Sequence, residues 1–311
     1  MSILLADVGG TNARLALARD GVLDPASITR YRGDDFASFD DVVRTYLAAL
    51  NESGVEAVCV DVAGPVSCGK AELTNRDWSF STDRLKTLTG ADQALIINDL
   101  TALGYAVPGL GDGARLLRAA SGAKVSNGQR LVVNAGTGFN VCAVKTLEDG
   151  FIVCLEAEEG HTRLPLPIAA LIVDEVGQRA ATAYHSTEEI FSGRGLARLH
   201  ADRTGRAGAR AEDVVRLASD GDADAIATCT FFAGIFGLLC RELALRFMPF
   251  DGLYLAGSVA RSCAAQMDVF GASFQSDQLM RHVPDATPLL VIEDDLAALY
   301  GCLAAVCRKI P

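Results

Sequence analysis

The chain is poor in several things that would have decided its class at once. It has one tryptophan, four histidines and no CxxC pair among its nine cysteines. An odd number of scattered thiols is not a disulfide framework, and without CxxC pairs or an HExxH segment a zinc held by the protein is not expected. Long apolar runs are missing too. The most apolar stretch, Phe231–Cys240 (FFAGIFGLLC), stops at Arg241-Glu242, too short for a bilayer, and reads as a buried core helix. Basic residues are outnumbered, 28 against 39 acidic, for a net charge of −11. Such a surface repels phosphate backbones, so nucleic acid is not an expected partner. Met1-Ser2 leads straight into an apolar strand, with no basic region or small-residue cleavage site. A soluble cytoplasmic protein with no membrane partner is the expectation.

What is present is a well-stocked core. Half of the residues are hydrophobic and 22% are charged; a chain of this length buries roughly 75% of its unfolded surface. Ile3–Val8 is a short apolar run, turned by Gly9-Gly10 into Ala13–Arg19, which reads as a hairpin. From Ser38, a plausible N-cap, Val42, Val43, Tyr46, Leu47 and Leu50 share one helical face. Ala57–Val62 and Ala94–Asp99 are buried-strand runs, and a helix follows Asp99 and ends before Pro108. A glycine-rich link (Gly109, Gly111, Gly113) precedes a second set: Arg130–Gly136, Asn140–Thr146, an Asp149-Gly150 turn and Phe151–Ala157. Helical patterns run from about Pro167 to Met248. Tyr254–Arg261 (YLAGSVAR) and Pro288–Glu293 read as strands, and Leu296–Arg308 as the last helix. The layout that starts near residue 3 starts again near residue 130. The economical architecture is α/β: two similar halves with a ligand cleft between them.

Glycine turns head both halves. In DVGGTN, Asp7–Asn12, a carboxylate ends a strand and two glycines let backbone N–H groups converge on an anion, a nest in which Asp7 could hold Mg²⁺ through water. No GK[ST] follows, so it is not a P-loop; an ordinary hairpin turn is the plainer alternative. Gly136-Thr137-Gly138 repeats this logic in the second half, and the two turns could grip one polyphosphate from both sides. Asn98-Asp99 ends a buried strand before a helix, which suits either a helix cap or a general base beside a hydrogen-bonding amide. Trp78, in LTNRDW, is by itself a core anchor. Surface charge accounts for Glu158, Glu159, Glu188 and Glu189 taken singly.

Taken jointly, DVGGTNARLAL, LTNRDW, INDLTA, AGTG, EEGH, SGRGL and LAGS resemble, in order and spacing, the bacterial glucokinases of the hexokinase-like and actin-like ATPase superfamily. The resemblance spans nearly the whole chain. It implies two actin-like (ribonuclease H-like) α/β domains: residues 1–109, and 110–311 with the helix at about 296–308 packing back on the small domain. It implies ATP and Mg²⁺ as cofactors, glucose as substrate, and a homodimer. Asp7 and Gly9, Gly10, Thr11 and Asn12 would form the first phosphate motif, with Asp7 the Mg²⁺ residue. Gly136, Thr137 and Gly138 would form the second, and Gly257-Ser258 the adenosine-side turn. Asn75, Asn98, Asp99, Glu158, His161 and Glu188 fall where that family holds glucose, with Asp99 the catalytic base. The chain departs from the family pattern in three places: Phe139 and Asn140 stand where Leu-Gly is usual, and Glu159 replaces a glycine, with Thr162–Pro167 after it. Ser258 takes the place of a second glycine.

The expected reaction is therefore transfer of a γ-phosphoryl group from ATP to the 6-hydroxyl of glucose. Two alternatives stay open: a kinase for another hexose or amino sugar, as in the related repressor-ORF-kinase family, whose cysteine-rich zinc motif is missing here, and a catalytically silent sugar sensor. A DNA-binding form of the latter needs a module ahead of Asp7, and only six residues precede it.

Overall fold

The computed structural model describes residues 2–73, 76–121 and 125–307. Two compact units divide it. The first holds the chain up to Gly111, the segment Glu148–Val153 and the chain from Asp294 onward; the second holds Asp112–Leu147 and Cys154–Glu293.

In the first unit β1 (Ser2–Val8) and β2 (Asn12–Arg19) form the expected hairpin, with short β3 (Val22–Leu23) and β4 (Thr29–Arg32) added to β2. Helix α1 (Phe39–Ala49) starts where Ser38 accepts from the Asp41 N–H, as its cap signal predicts. Next come β5 (Ala57–Val62), a small sheet of β6 (Val66–Ser67), β7 (Lys70–Glu72) and β8 (Ser79–Ser81), helix α2 (Thr82–Thr89), β9 (Gln93–Asn98) and α3 (Asp99–Ala106). The main sheet is ordered β3-β2-β1-β5-β9, antiparallel at β1–β2 and parallel from β1 to β9. Leu4, Ala6, Val8, Leu15 and Leu17 pack with Val42, Val43 and Tyr46 of α1. Ile3, Leu5, Ala16 and Ala18 pack with Ala102 and with Leu299, Cys302 and Leu303. The alternation of apolar and polar residues expected along Ala13–Arg19 stops after Arg14: Leu15–Ala18 is continuously buried, because both faces of β2 are covered.

The second unit repeats this plan. Its strands are β10 (Ala114–Arg118), β11 (Gln129–Ala135), β12 (Phe139–Thr146) and β13 (Ile152–Glu156). Helices α4 (Leu166–Ala181), α5 (Thr187–Ile190), α6 (Gly193–Thr204), α7 (Ala211–Ser219) and α8 (Ala223–Phe247) follow. Then come β14 (Leu253–Ala256), α9 (Ser258–Cys263), α10 (Met267–Phe274), α11 (His282–Ala286) and β15 (Leu289–Ile292). The sheet order is β10-β15-β14-β11-β12-β13. Thus β12-β11-β14-β15 copies β2-β1-β5-β9: one antiparallel neighbour, then parallel strands. Helix α12 (Ala297–Cys307) returns to the first unit, against α3, β5 and β1.

One expectation needs correction, and another holds over a longer span than its apolar run. Tyr254–Arg261 is not one strand: β14 stops at Ala256, Gly257 turns at φ +87°, and Ser258 opens α9. Phe231–Cys240 is the middle of a 25-residue helix, which length and composition alone would allow to cross a membrane. Its Phe232, Ile235, Phe236, Leu239 and Leu243 are instead buried among β11, β14 and α10 side chains, so α8 is the core helix of the second unit. Edge strand β10 and the β6–β8 sheet escape sequence reading because their runs are short, and those of β6–β8 are also mostly polar.

Candidate active site

The first glycine turn closes tightly: the Gly9 N–H donates to the Asn12 carbonyl at 3.0 Å, with Val8 and Ala13 the last paired residues of the hairpin. Asp7, Gly9, Gly10, Thr11, Asn12, Arg14 and Arg30 line one cavity of about 280 Å³. Arg14 and Arg30 stand directly opposite each other on β2 and β4. Like charges so placed repel unless an anion or a carboxylate lies near. Asp7 is 3.9 Å from Arg14, and burial raises its carboxyl above the ordinary value against the pull of that guanidinium. Beside it in register on β5 stands Asp61, fully buried, its carboxyl in hydrogen-bond contact with that of Asp7 and accepting from the Cys302 thiol at 3.3 Å on Oδ2. Burial, with the neighbouring carboxyl of Asp7 adding to it, pushes the Asp61 carboxyl well above its ordinary value.

At the end of β9, Asn98 rather than Asp99 is the N-cap of α3: its Oδ1 accepts from the Leu100 N–H at 2.9 Å, and its Nδ2 donates to the Gly64 carbonyl at 3.0 Å. Asp99 is the first helical residue, with Oδ1 also accepting from Leu100 N–H. Burial, aided by the charge of Asp7, raises its carboxyl to about 6 against these hydrogen bonds. A carboxyl tuned toward neutrality at a strand end is the profile of a proton acceptor. Trp78 is buried against Phe39, with the Arg76 guanidinium over its ring, so its role is in the core. Asn75 lies outside the described residues.

In the second unit one tight network holds the other turn and the carboxylates. The Gly136 N–H donates to the Gly138 carbonyl, and the Gly136 carbonyl accepts from Gly193 at the start of α6. The Phe139 N–H donates to Glu188 Oε2 at 3.0 Å, while Arg194 donates to Oε1 at 2.6 Å. Burial alone would raise the Glu188 carboxyl, but these donors hold it below its ordinary value, so it is ionised. Gly138 is required by this approach, since a Cβ there would stand 2.7 Å from Glu188 Oε2. Glu158 and His161 are exposed on a single 3-10 turn, Glu159–His161 with Glu158 as its cap, and His161 adds its field to Glu188. Gly160, between them, lies against the Phe139 carbonyl and the Glu188 Cβ.

Phe139 itself, one of the departures, points inward onto Phe191 and Phe236, which makes it a core residue rather than an obstacle at the turn. Gly257 lies against the Ala135 carbonyl; its positive φ and that contact leave no room for a side chain. Beyond it a cavity of about 290 Å³ is lined by Leu196, Ala211, Val215 and Val259 with Ser258, Ser262, Glu212 and Arg216 at its polar positions. Sequence reading did not single out Arg30, Arg194 or Asp61. Arg30 and Arg194 look like solvated charge, and only a carboxylate inside an apolar strand (AVCVDV) marked Asp61 as odd.

A hairpin-headed sheet built twice, each copy carrying a glycine turn at the same point, defines the actin-like ATPase fold. A family model described as Glucokinase matches residues 4–309. The chain belongs to the glucokinase family. It is 30% identical to a glucokinase of Caulobacter vibrioides, with 97% of this chain and 94% of that one covered. It is 31% identical to a bifunctional protein of Burkholderia orbicola, of which it spans about half, 49%. Among solved structures, a glucokinase from an Antarctic psychrotroph superposes with a TM-score of 0.85 at 27% identity over 99% of both chains. A Streptomyces griseus ROK family glucokinase in complex with glucose and AMPPNP shares the fold, at TM-score 0.65 and 21% identity over 99% of this chain and 100% of that one.

Proposed function

We propose that the chain is a glucokinase: it moves the γ-phosphoryl group of ATP to the 6-hydroxyl of glucose, with Asp99 accepting the hydroxyl proton. The observation that carries this reading is the Phe139–Glu188 hydrogen bond, which ties a carboxylate suited to sugar hydroxyls to the backbone ending a phosphate-type turn. In a loose phosphoryl-transfer transition state little proton transfer precedes bond cleavage, so positioning counts for most. Asp99, with a carboxyl near 6, is mostly ionised at pH 7 and accepts the proton late. Both Asn98 side-chain atoms already serve backbone groups, so a contact of Asn98 with sugar uses the second Nδ2 hydrogen. Glu188, Glu158 and His161 accept from or donate to ring hydroxyls, and a charge-assisted site of this kind discriminates against a sugar lacking one of them.

The glycine turns Gly9–Asn12 and Gly136–Gly138 cradle phosphates, with Arg14 and Arg30 adding positive charge to the first. The apolar cavity beside Gly257-Ser258 takes the adenosine end, its volume being near the lower end of small-ligand pockets. Asp7 fits Mg²⁺, since a single part-exposed carboxylate beside a phosphate site is the usual protein share of that ion's ligands. Asp7 would hold it through water, and the ion would neutralise charge on the phosphates. Nine cysteines scattered along the sequence with no CxxC pair suit a cytoplasmic location. A homodimer is expected, and light scattering of the purified protein would establish it.

An ATP-coupled assay across a hexose panel tests the reading. Glucose is expected to give the highest kcat/KM and N-acetylglucosamine a poor one. A higher kcat/KM for mannose or N-acetylglucosamine would make the chain a kinase for another sugar, and no turnover with any hexose would make it a sensor.

A further inference from the structure

Asn140 interrupts a glycine-turn pattern, yet its side chain is the most fully committed polar group near the sugar carboxylates. It sits second on β12, directly opposite Asn134 of β11. Its Nδ2 donates to the Ala157 carbonyl at 2.6 Å and reaches Glu158 Oε2 at 3.4 Å; its Oδ1 accepts from the Glu159 N–H at 3.0 Å and from the Val141 N–H at 2.9 Å. Ala157 and Glu159 flank Glu158. One planar carboxamide therefore grips the backbone on both sides of Glu158 and touches its carboxylate as well. Among short side chains only a carboxamide presents donor and acceptor in one plane at this reach. Glu159, the second departure from the family pattern, makes an ion pair with Arg246 of α8 and is nearly buried there. The two departures thus meet in one hydrogen bond, from the Glu159 N–H to Asn140.

We infer that Asn140 is a positioning residue for sugar recognition, fixing the Glu158 turn to the strand that leaves the second phosphate turn and orienting the Glu158 carboxylate toward a hexose hydroxyl. The inference rests on the reading of Glu158 as a sugar-contacting residue. All the side-chain partners of Asn140 outside its own strand belong to Ala157–Glu159, so its removal reaches glucose and leaves ATP alone. With Ala in its place the Glu158 carboxylate loses its donor and the turn loses two backbone anchors. With Asp, an acceptor faces the Ala157 carbonyl and a second negative charge stands beside Glu158, until a proton restores a donor.

The test measures glucose Kd by calorimetry without nucleotide, together with KM for ATP and Tm, for the wild type, Asn140→Ala, Asn140→Asp and Glu158→Gln. Asn140→Ala is expected to weaken glucose roughly five- to tenfold, about one net hydrogen bond, with KM for ATP and Tm nearly unchanged. Asn140→Asp is expected to bind glucose weakly at pH 8 and to recover toward wild type as pH falls to 5, a profile absent from the Ala variant. Should Glu158→Gln weaken glucose while Asn140→Ala does not, the positioning role is wrong and the sugar role of Glu158 stands. If neither variant weakens glucose, both the positioning role and the sugar role of Glu158 fall. A parallel loss of ATP affinity and Tm in Asn140→Ala, with no pH recovery in the Asp variant, would reduce Asn140 to a structural residue and overturn the inference.

Discussion

The backbone N–H of Phe139 donates to Oε2 of Glu188 at 3.0 Å, and Gly138, one residue earlier, leaves space for that same oxygen and no more. The Gly136–Gly138 turn, proposed to hold phosphate, and Glu188, proposed to hold sugar, are therefore joined directly within the second unit.

The consequence is that a substitution at Gly138, unlike one at Gly136, reaches the proposed sugar site. Gly138→Ala places a Cβ 2.7 Å from Glu188 Oε2, closer than carbon and oxygen tolerate, so the carboxylate must swing away from the Phe139 N–H. Glucose KM is expected to rise at least as much as in Glu188→Gln, roughly tenfold for one charge-assisted hydrogen bond. Steady-state kinetics with glucose and ATP varied separately decides it; a change confined to KM for ATP contradicts the coupling.

Asp99 carries a pH signature. Its carboxyl lies at about 6, and a base works only when deprotonated, so kcat/KM for glucose should fall about tenfold per pH unit below that value and level off above it. Asp99→Asn is expected to lower kcat by ~10²–10⁴-fold while glucose still binds. Near-wild-type kcat in that variant would leave Asp99 as the first residue of α3 and nothing more.

The two glycine positions that meet behind the second turn should behave differently. Gly257→Ala combines a positive φ with a clash on the Ala135 carbonyl, and is expected to cost at least about 1–2 kcal/mol of stability. At Gly136 a Cβ would make an ordinary contact, 3.6 Å from the Gly257 Cα, but the branches of valine press on Gly257-Ser258. Gly136→Val should therefore fold, bind glucose normally and show a raised KM for ATP. Thermal denaturation and kinetics together separate the pair, and an unchanged KM for ATP in Gly136→Val would take that turn away from the nucleotide.

Asp61 gives a stability signature. Its native carboxyl is raised above the unfolded value of roughly 3.9, so across the interval between the two the native state holds more protons than the unfolded chain. The contribution is fully present below the unfolded pKa and is lost as pH rises toward the native one. Asp61→Asn, of the same shape and always neutral, removes that loss. Tm measured from pH 5 to 8 without nucleotide or Mg²⁺ should decline less in the variant than in the wild type; parallel curves would mean Asp61 is not protonated.

Local residue chemistry settled a good part of this molecule in advance. Short-range signals suffice where a segment's own pattern dictates its state: the Gly9-Gly10 hairpin, the Ser38 cap with its apolar face through Leu47, the all-apolar β5, and the arrest of α3 before Pro108. The doubling was legible for the same reason, because each half announces its first strand and its glycine turn within a dozen residues.

Tertiary structure decided what depends on neighbours distant in sequence. Tyr254–Arg261 has strand composition, but Gly257 must turn beneath Ala135, and a helix follows. Helical patterning was legible around Phe231–Cys240, but the apolar run by itself did not mark where the 25-residue helix begins and ends, since its flanks mix polar and apolar residues. The side chain of Phe139 was free to point either way until Phe191 and Phe236 enclosed it. Asn140 and Glu159, two unrelated irregularities along the chain, became one hydrogen-bonded unit only when β12 and the 3-10 turn came together, and the Asp61 carboxyl was pushed above its ordinary value only when β5 was sealed beneath α12. Composition and periodicity describe what each residue prefers alone; burial and directed hydrogen bonds, which set pKa values and side-chain aim, exist only between residues that folding has made adjacent.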